Sequence, residues 1–186
     1  MIFSTRMTFE FDKNNVTEVH LPLLVQAECE GNKHFPLVRE TRRNNGLVQL
    51  GFFDADTCWQ YEQQWTDSQM ATLEYIKSNQ EAIVLAAYEY TKHKLYPEHI
   101  GYIGYDETSF PELQQVCDLR QALGIHFIGL YREHGADTAY FGLQCDFSGD
   151  FEHGTNLIMN KATVLGWEEQ MGKDLILKDI DHNEPN

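Results

Sequence analysis

Apolar and polar residues alternate in Met7-Thr8-Phe9-Glu10-Phe11, the period of a strand with one buried face. Lys13-Asn14-Asn15 supplies turn chemistry, and Val16 to Val25 reads as a second strand with Thr17, Val19 and Leu21 on one side, so an N-terminal hairpin is expected. Residues 28–45 are polar and irregular, with turn signals at Gly31-Asn32-Lys33 and Arg42-Arg43-Asn44-Asn45-Gly46. Leu47 to Phe53 then has the apolar density of a buried strand.

The period changes in the central third. Thr66-Asp67 is good N-cap chemistry ahead of Met70, Leu73, Ile76, Ile83, Val84 and Ala87, whose spacing is helical. Ser78-Asn79-Gln80-Glu81 resembles a second capping box and leaves two stacked helices as the alternative; one long helix to about His93 is the expectation. Tyr96-Pro97 should end it, because proline lacks an amide donor and restricts the residue before it. Pro111-Glu112-Leu113 predicts a shorter helix carrying Leu113, Val116, Cys117 and Leu119, stopped by a left-handed cap at Gly124.

Four β-like runs follow: Ile125 to Tyr131, Thr138 to Phe147, Thr155 to Asn160, and Thr163 to Trp167. Their short Gly, Asp and Asn connections favour an antiparallel meander over crossover units. The acidic stretch Asp179 to Asn186 reads as a frayed tail beyond a single domain spanning residues 1–178. The fold class is therefore α+β: an N-terminal β-hairpin and strand, a long central helix plus a shorter one, and a C-terminal antiparallel β-meander.

Composition narrows the function. The chain has 186 residues, 42% hydrophobic and 12% aromatic, enough for one domain with a sizeable core. Acidic residues outnumber basic ones by 29 to 14, a formal net charge of −15. That field repels phosphate backbones and anionic lipid, so neither nucleic acid nor membrane is expected as a partner, and a basic protein is favoured. Oligomeric state has no signature.

Cys29, Cys58, Cys117 and Cys145 contain no Cys-x-x-Cys pair and read as ordinary buried thiols. The N-terminus lacks the apolar core of a signal peptide, and no run reaches the roughly 18 apolar residues of a membrane span, so a reduced cytoplasmic protein is expected. Lys33, His34, Arg39, Arg42 and Arg43 form a basic cluster that reads as a solvated loop. Gly101-Tyr102-Ile103-Gly104 lacks the lysine and following helix of a phosphate loop, and no cofactor is expected. Trp59, Tyr61, Trp65, Tyr102 and Tyr105 serve either core or an interface, core being the simpler reading.

The densest chemistry lies in Asp146-Phe147-Ser148-Gly149-Asp150-Phe151-Glu152-His153-Gly154. Asp146, Ser148, Asp150 and Glu152 alternate like the first ligands of a calcium loop, but Phe151 stands where that loop needs glycine and Leu157 where it needs glutamate. Asp146, Asp150 and Glu152 remain a candidate oxygen-rich cation site. Glu152 and His153 are adjacent and would point to opposite faces of a strand, which argues against a shared transition metal. The simplest reading makes Ser148 to Gly154 a hairpin connection, with no catalytic residue assigned. Cys145 beside Asp146 should have its thiol pKa raised, the wrong direction for a nucleophile.

From Thr66 to Gln170 the order of elements, closing on Cys145-Asp146 and Glu152-His153-Gly154, resembles a family of uncharacterised bacterial proteins with a C-terminal Cys...Glu-His-Gly signature. Cys145, Glu152, His153, Gly154 and Gly166 match that signature; the spacing from Cys145 to Glu152 is longer, its tryptophan is missing, and Thr155-Asn156 replaces Leu-Gly. Proteins of this kind look like toxin-system immunity proteins. The resemblance implies a non-catalytic cytoplasmic protein that neutralises a cognate protein toxin with a basic surface, through an acidic and aromatic surface of its own. The alternative is a metal-binding protein or hydrolase using the Asp146 to His153 cluster.

Overall fold

The computed structural model describes residues 17–25, 46–53, 65–100, 110–132, 139–168 and 173–183. Within them six strands form one sheet, in spatial order β1 (Thr17–His20), β2 (Leu47–Phe53), β3 (Leu123–Tyr131), β4 (Tyr140–Phe147), β5 (Asp150–Asn160) and β6 (Thr163–Glu168). The strand expected over Met7 to Phe11, the basic cluster from Lys33 to Arg43, and Trp59, Tyr61, Tyr102 and Tyr105 lie outside the described residues.

β3 to β6 form the expected antiparallel meander. β1 and β2 are also antiparallel, with Thr17 and Val19 buried and Glu18 and His20 exposed, as the alternation requires. β2 and β3, by contrast, pair in parallel, Leu50 opposite Ile128. A parallel pair needs a long crossover, and the helical centre supplies it. Those helices cover one sheet face, where Leu50, Ile128, Phe141 and Leu157 are all fully buried in one cluster with Leu73 and Ile83.

Helix α1 (Asp67–Ser78) starts as the sequence predicts. Thr66 Oγ1 accepts from the Gln69 amide at 3.2 Å and Gln69 Oε1 accepts from the Thr66 amide at 2.9 Å, a reciprocal capping box. Gln69 Nε2 also donates to the Leu130 carbonyl at 3.1 Å, fixing the helix start to β3.

The expected single long helix is interrupted at Asn79, whose φ of −128° and ψ of 25° are not helical. Asn79 Nδ2 donates to the Tyr75 carbonyl at 2.8 Å, satisfying a helix-end acceptor and competing with continuation of the backbone ladder. α2 (Gln80–Tyr90) begins at once, and Gln80 Oε1 accepts from the amides of Leu23 and Leu24, both at 3.1 Å, tying the turn after β1 to the break.

Tyr96-Pro97 does not end the helical path. A π-helical turn, Thr91–Leu95, precedes it, with the Tyr96 amide reaching back to the Thr91 carbonyl, and α3 (Tyr96–His99) follows without a break, carrying Pro97 in its first turn. The helix expected from Pro111 starts later: a 3₁₀ turn at Val116–Asp118 leads into α4 (Leu119–Ala122). Asp118 Oδ2 sets that start by accepting from the amides of Gln114 and Gln115 at 3.0 and 2.9 Å. Gly124 is a residue of β3 rather than a helix cap.

Asp179 to Asn183 do not fray but belong to helix α5 (Lys173–Asn183). Asp179 Oδ2 accepts from Tyr140 Oη at 2.8 Å and Asn160 Nδ2 at 2.9 Å, and Ile176 is fully buried in a second cluster with Phe127, Tyr131, Tyr140 and Ile158 on the opposite sheet face. No helix among the described residues is long and apolar enough to cross a membrane.

Candidate functional site

β4 and β5 carry the acidic stretch. Phe147 pairs with Asp150, so Ser148-Gly149 alone makes the turn and β5 begins five residues earlier than the expected Thr155. The next pair is Cys145 with Thr155: β4 contributes only Asp146 between these rungs, whereas β5 contributes Phe151, Glu152, His153 and Gly154. The surplus forms a bulge of four residues against one, a connection folded into the strand instead of standing beyond it.

Two interactions hold the bulge. Asp150 Oδ1 accepts from the His153 amide at 3.0 Å, and Asp150 Oδ2 lies 3.3 Å from His153 Nδ1. Gly154 returns the chain to the ladder with φ of +74°, and a Cβ there would collide with the carbonyl oxygen of Cys145. Only glycine fits that conformation against that neighbour without strain. The link between Cys145 and Gly154 is therefore a backbone contact across two strands.

Cys145 itself is buried on the helix-covered face, its Sγ donating to the Leu143 carbonyl at 3.4 Å. Burial, reinforced by the Asp146 charge, pushes its thiol well above the ordinary range. It is a packed, protonated thiol, unsuited to nucleophilic attack. Asp146 is half-buried, Asp150 is engaged with His153, and the His153 side chain is 67% exposed. Glu152 lies in the β5 backbone, and its side chain is outside the described residues. Among the described residues no three His, Cys, Asp or Glu side chains converge as a metal-binding set.

Comparison with protein-family models, with curated proteins and with solved structures finds no match. The geometry therefore carries the functional argument alone.

Behind the Ser148-Gly149 turn lies an aromatic group that no local sequence signal announces. Phe147 packs against Tyr96 and Phe110 with ring centroids 6.3 and 6.2 Å away, and edge-on against His99 at 4.9 Å. His99 also meets Trp167 at 4.7 Å, while Trp167 Nε1 donates to Glu98. Since His99 Nδ1 faces the Leu95 carbonyl at 2.8 Å, it is the donor. Burial pushes the Tyr96 phenol far up, with the Ser148 hydroxyl acting weakly in the other direction, although neither hydroxyl has a hydrogen bond of standard geometry. Trp65, the one described member of the aromatic list, packs on Phe52 at 5.5 Å and belongs to the core. The acidic stretch thus lies at a corner of the fold, where Phe147 packs the meander against α3.

Proposed function

We propose that this chain is a non-catalytic bacterial binding protein of the immunity type, acting in the cytoplasm by covering a basic surface of a cognate protein toxin. The observation that carries this reading is on α2. Leu85 is 47% exposed and stands one turn from Glu81 and one turn from Glu89, so an apolar side chain is bracketed by carboxylates along a single helix face. Glu74 on α1 and Glu98 on α3 are further exposed carboxylates of the same helical connection, Glu74 paired with Lys77 at 2.9 Å and Glu98 accepting from Trp167 Nε1. An apolar centre flanked by one sign of charge, losing its water on contact, suits a partner of the opposite sign, and the net charge of −15 would steer its approach. The same field disfavours nucleic acid and anionic membranes.

The test is stopped-flow association with the purified toxin encoded beside the gene. The rate should fall about tenfold or more as salt rises from low to physiological concentration, and Leu85→Asp should speed dissociation. Absence of binding, or an association rate indifferent to salt, would remove the reading. Stoichiometric uptake of a divalent cation lost in Asp146→Asn and Asp150→Asn variants would favour the metal-binding alternative instead.

A further inference from the structure

We propose that the cleft between the π-helical turn and residues 110–114 binds a small molecule made of a planar apolar body and one carboxylate, with Lys92 taking the carboxylate. The cleft has a volume of about 350 Å³, within the roughly 300–1,000 Å³ of small-ligand sites. Its walls are apolar: Tyr96 and Phe110, 4.6 Å apart between ring centroids, with Ile100, Pro111 and Leu113. Phe147 backs both rings, so the wall is anchored in the sheet and does not depend on one loop.

Lys92 supplies the polar group. Its Nζ donates to Tyr88 Oη at 3.2 Å and sits 5.4 Å from the centre of the Tyr88 ring, while Tyr88 Oη spends its own proton on the Leu113 carbonyl at 3.3 Å. That relay orients the ammonium and uses one of its three protons. No carboxylate of the described residues pairs with Lys92, in a chain with 29 acids to 14 bases. A half-buried lysine, oriented by a buried tyrosine and with no carboxylate partner among the described residues, is matched at an aromatic cleft by an anion from outside the chain. Lys92 stands one helical turn after Tyr88, and that spacing brings its ammonium to the Tyr88 ring and hydroxyl. Glu112, also on the cleft, disfavours polyanions and limits the ligand to a single negative charge.

The experiment is an NMR titration of amide resonances in the full chain with three probes of similar size: phenylacetate, 2-phenylethylamine and benzyl alcohol. Saturable shifts at Lys92, Tyr96, Ile100 and Leu113, strongest with phenylacetate, are expected. Lys92→Met should weaken phenylacetate on the order of tenfold and leave benzyl alcohol unchanged, and Glu112→Gln should tighten phenylacetate severalfold. The proposal is overturned by the absence of saturable shifts, by shifts mapping elsewhere, by equal or tighter binding of the amine, or by undiminished phenylacetate binding in Lys92→Met with a native spectrum.

Discussion

Gly154→Ala tests whether the Glu-His-Gly segment builds the hairpin. An L side chain at φ of +74° costs about 1–2 kcal/mol in backbone energy. The added Cβ also strikes the carbonyl oxygen of Cys145, which is backbone and cannot rotate away as a side chain would. Relief requires parting the strands beside the Cys145–Thr155 rung, with loss of one or two ladder hydrogen bonds at about 1 kcal/mol each. The total is about 2–4 kcal/mol, or a melting temperature about 5–15 °C lower for a chain of this size. Urea denaturation followed by circular dichroism should show the midpoint falling with an unchanged slope. His153→Ala, at a side chain 67% exposed, should stay within about 0.5 kcal/mol of the parent. A Gly154→Ala variant melting within a degree of the parent would refute the reasoning, as would a His153→Ala variant equally destabilised.

Asp150→Ala should cost about 1 kcal/mol by releasing the His153 amide, with Asp150→Asn recovering part of the loss; thermal melts of both variants decide it. Asp179→Ala should cost about 2–3 kcal/mol, because it leaves the buried Tyr140 hydroxyl unpaired, and limited proteolysis should then cut within α5 before the rest of the chain. The Cys145 thiol binds its proton more tightly folded than unfolded, so its contribution is complete below the ordinary thiol value of 9.0 and is lost as pH rises above it. Stability should therefore decline by about 1.4 kcal/mol per pH unit for this group, read as urea midpoints at alkaline pH; a Cys145→Ala variant that shows the same decline would contradict the assignment.

Where structure follows from the residues nearest in sequence, the pattern sufficed. Thr66 and Gln69 hold the two halves of a capping box within one turn, so α1 starts where its chemistry says. The apolar runs over β3, β4 and β6 placed those strands to within a residue or two; β3 and β4 are buried along most of their length, so residues of both faces read as apolar. Asn79 carried a legible break signal, but the apolar spacing of Ile76, Ile83 and Val84 runs through the break, and its own hydrogen bond to the Tyr75 carbonyl decided between one helix and two. Ile176 and Ile180 have helical spacing too; what makes α5 a docked helix is Asp179 meeting Tyr140 and Asn160 from other strands.

By itself, the sequence determined the α+β class, the excess of negative charge and the segment where acids, imidazole and glycine crowd together. The tertiary structure decided the rest, for a common reason: the partner was distant along the chain. Parallel pairing of β2 with β3, the collision that reserves Gly154 for glycine, and the convergence of Lys92, Tyr96 and Phe110 on one cleft each join segments whose local pattern says nothing of the other. Periodicity reports which face of an element is buried, not what lies against it.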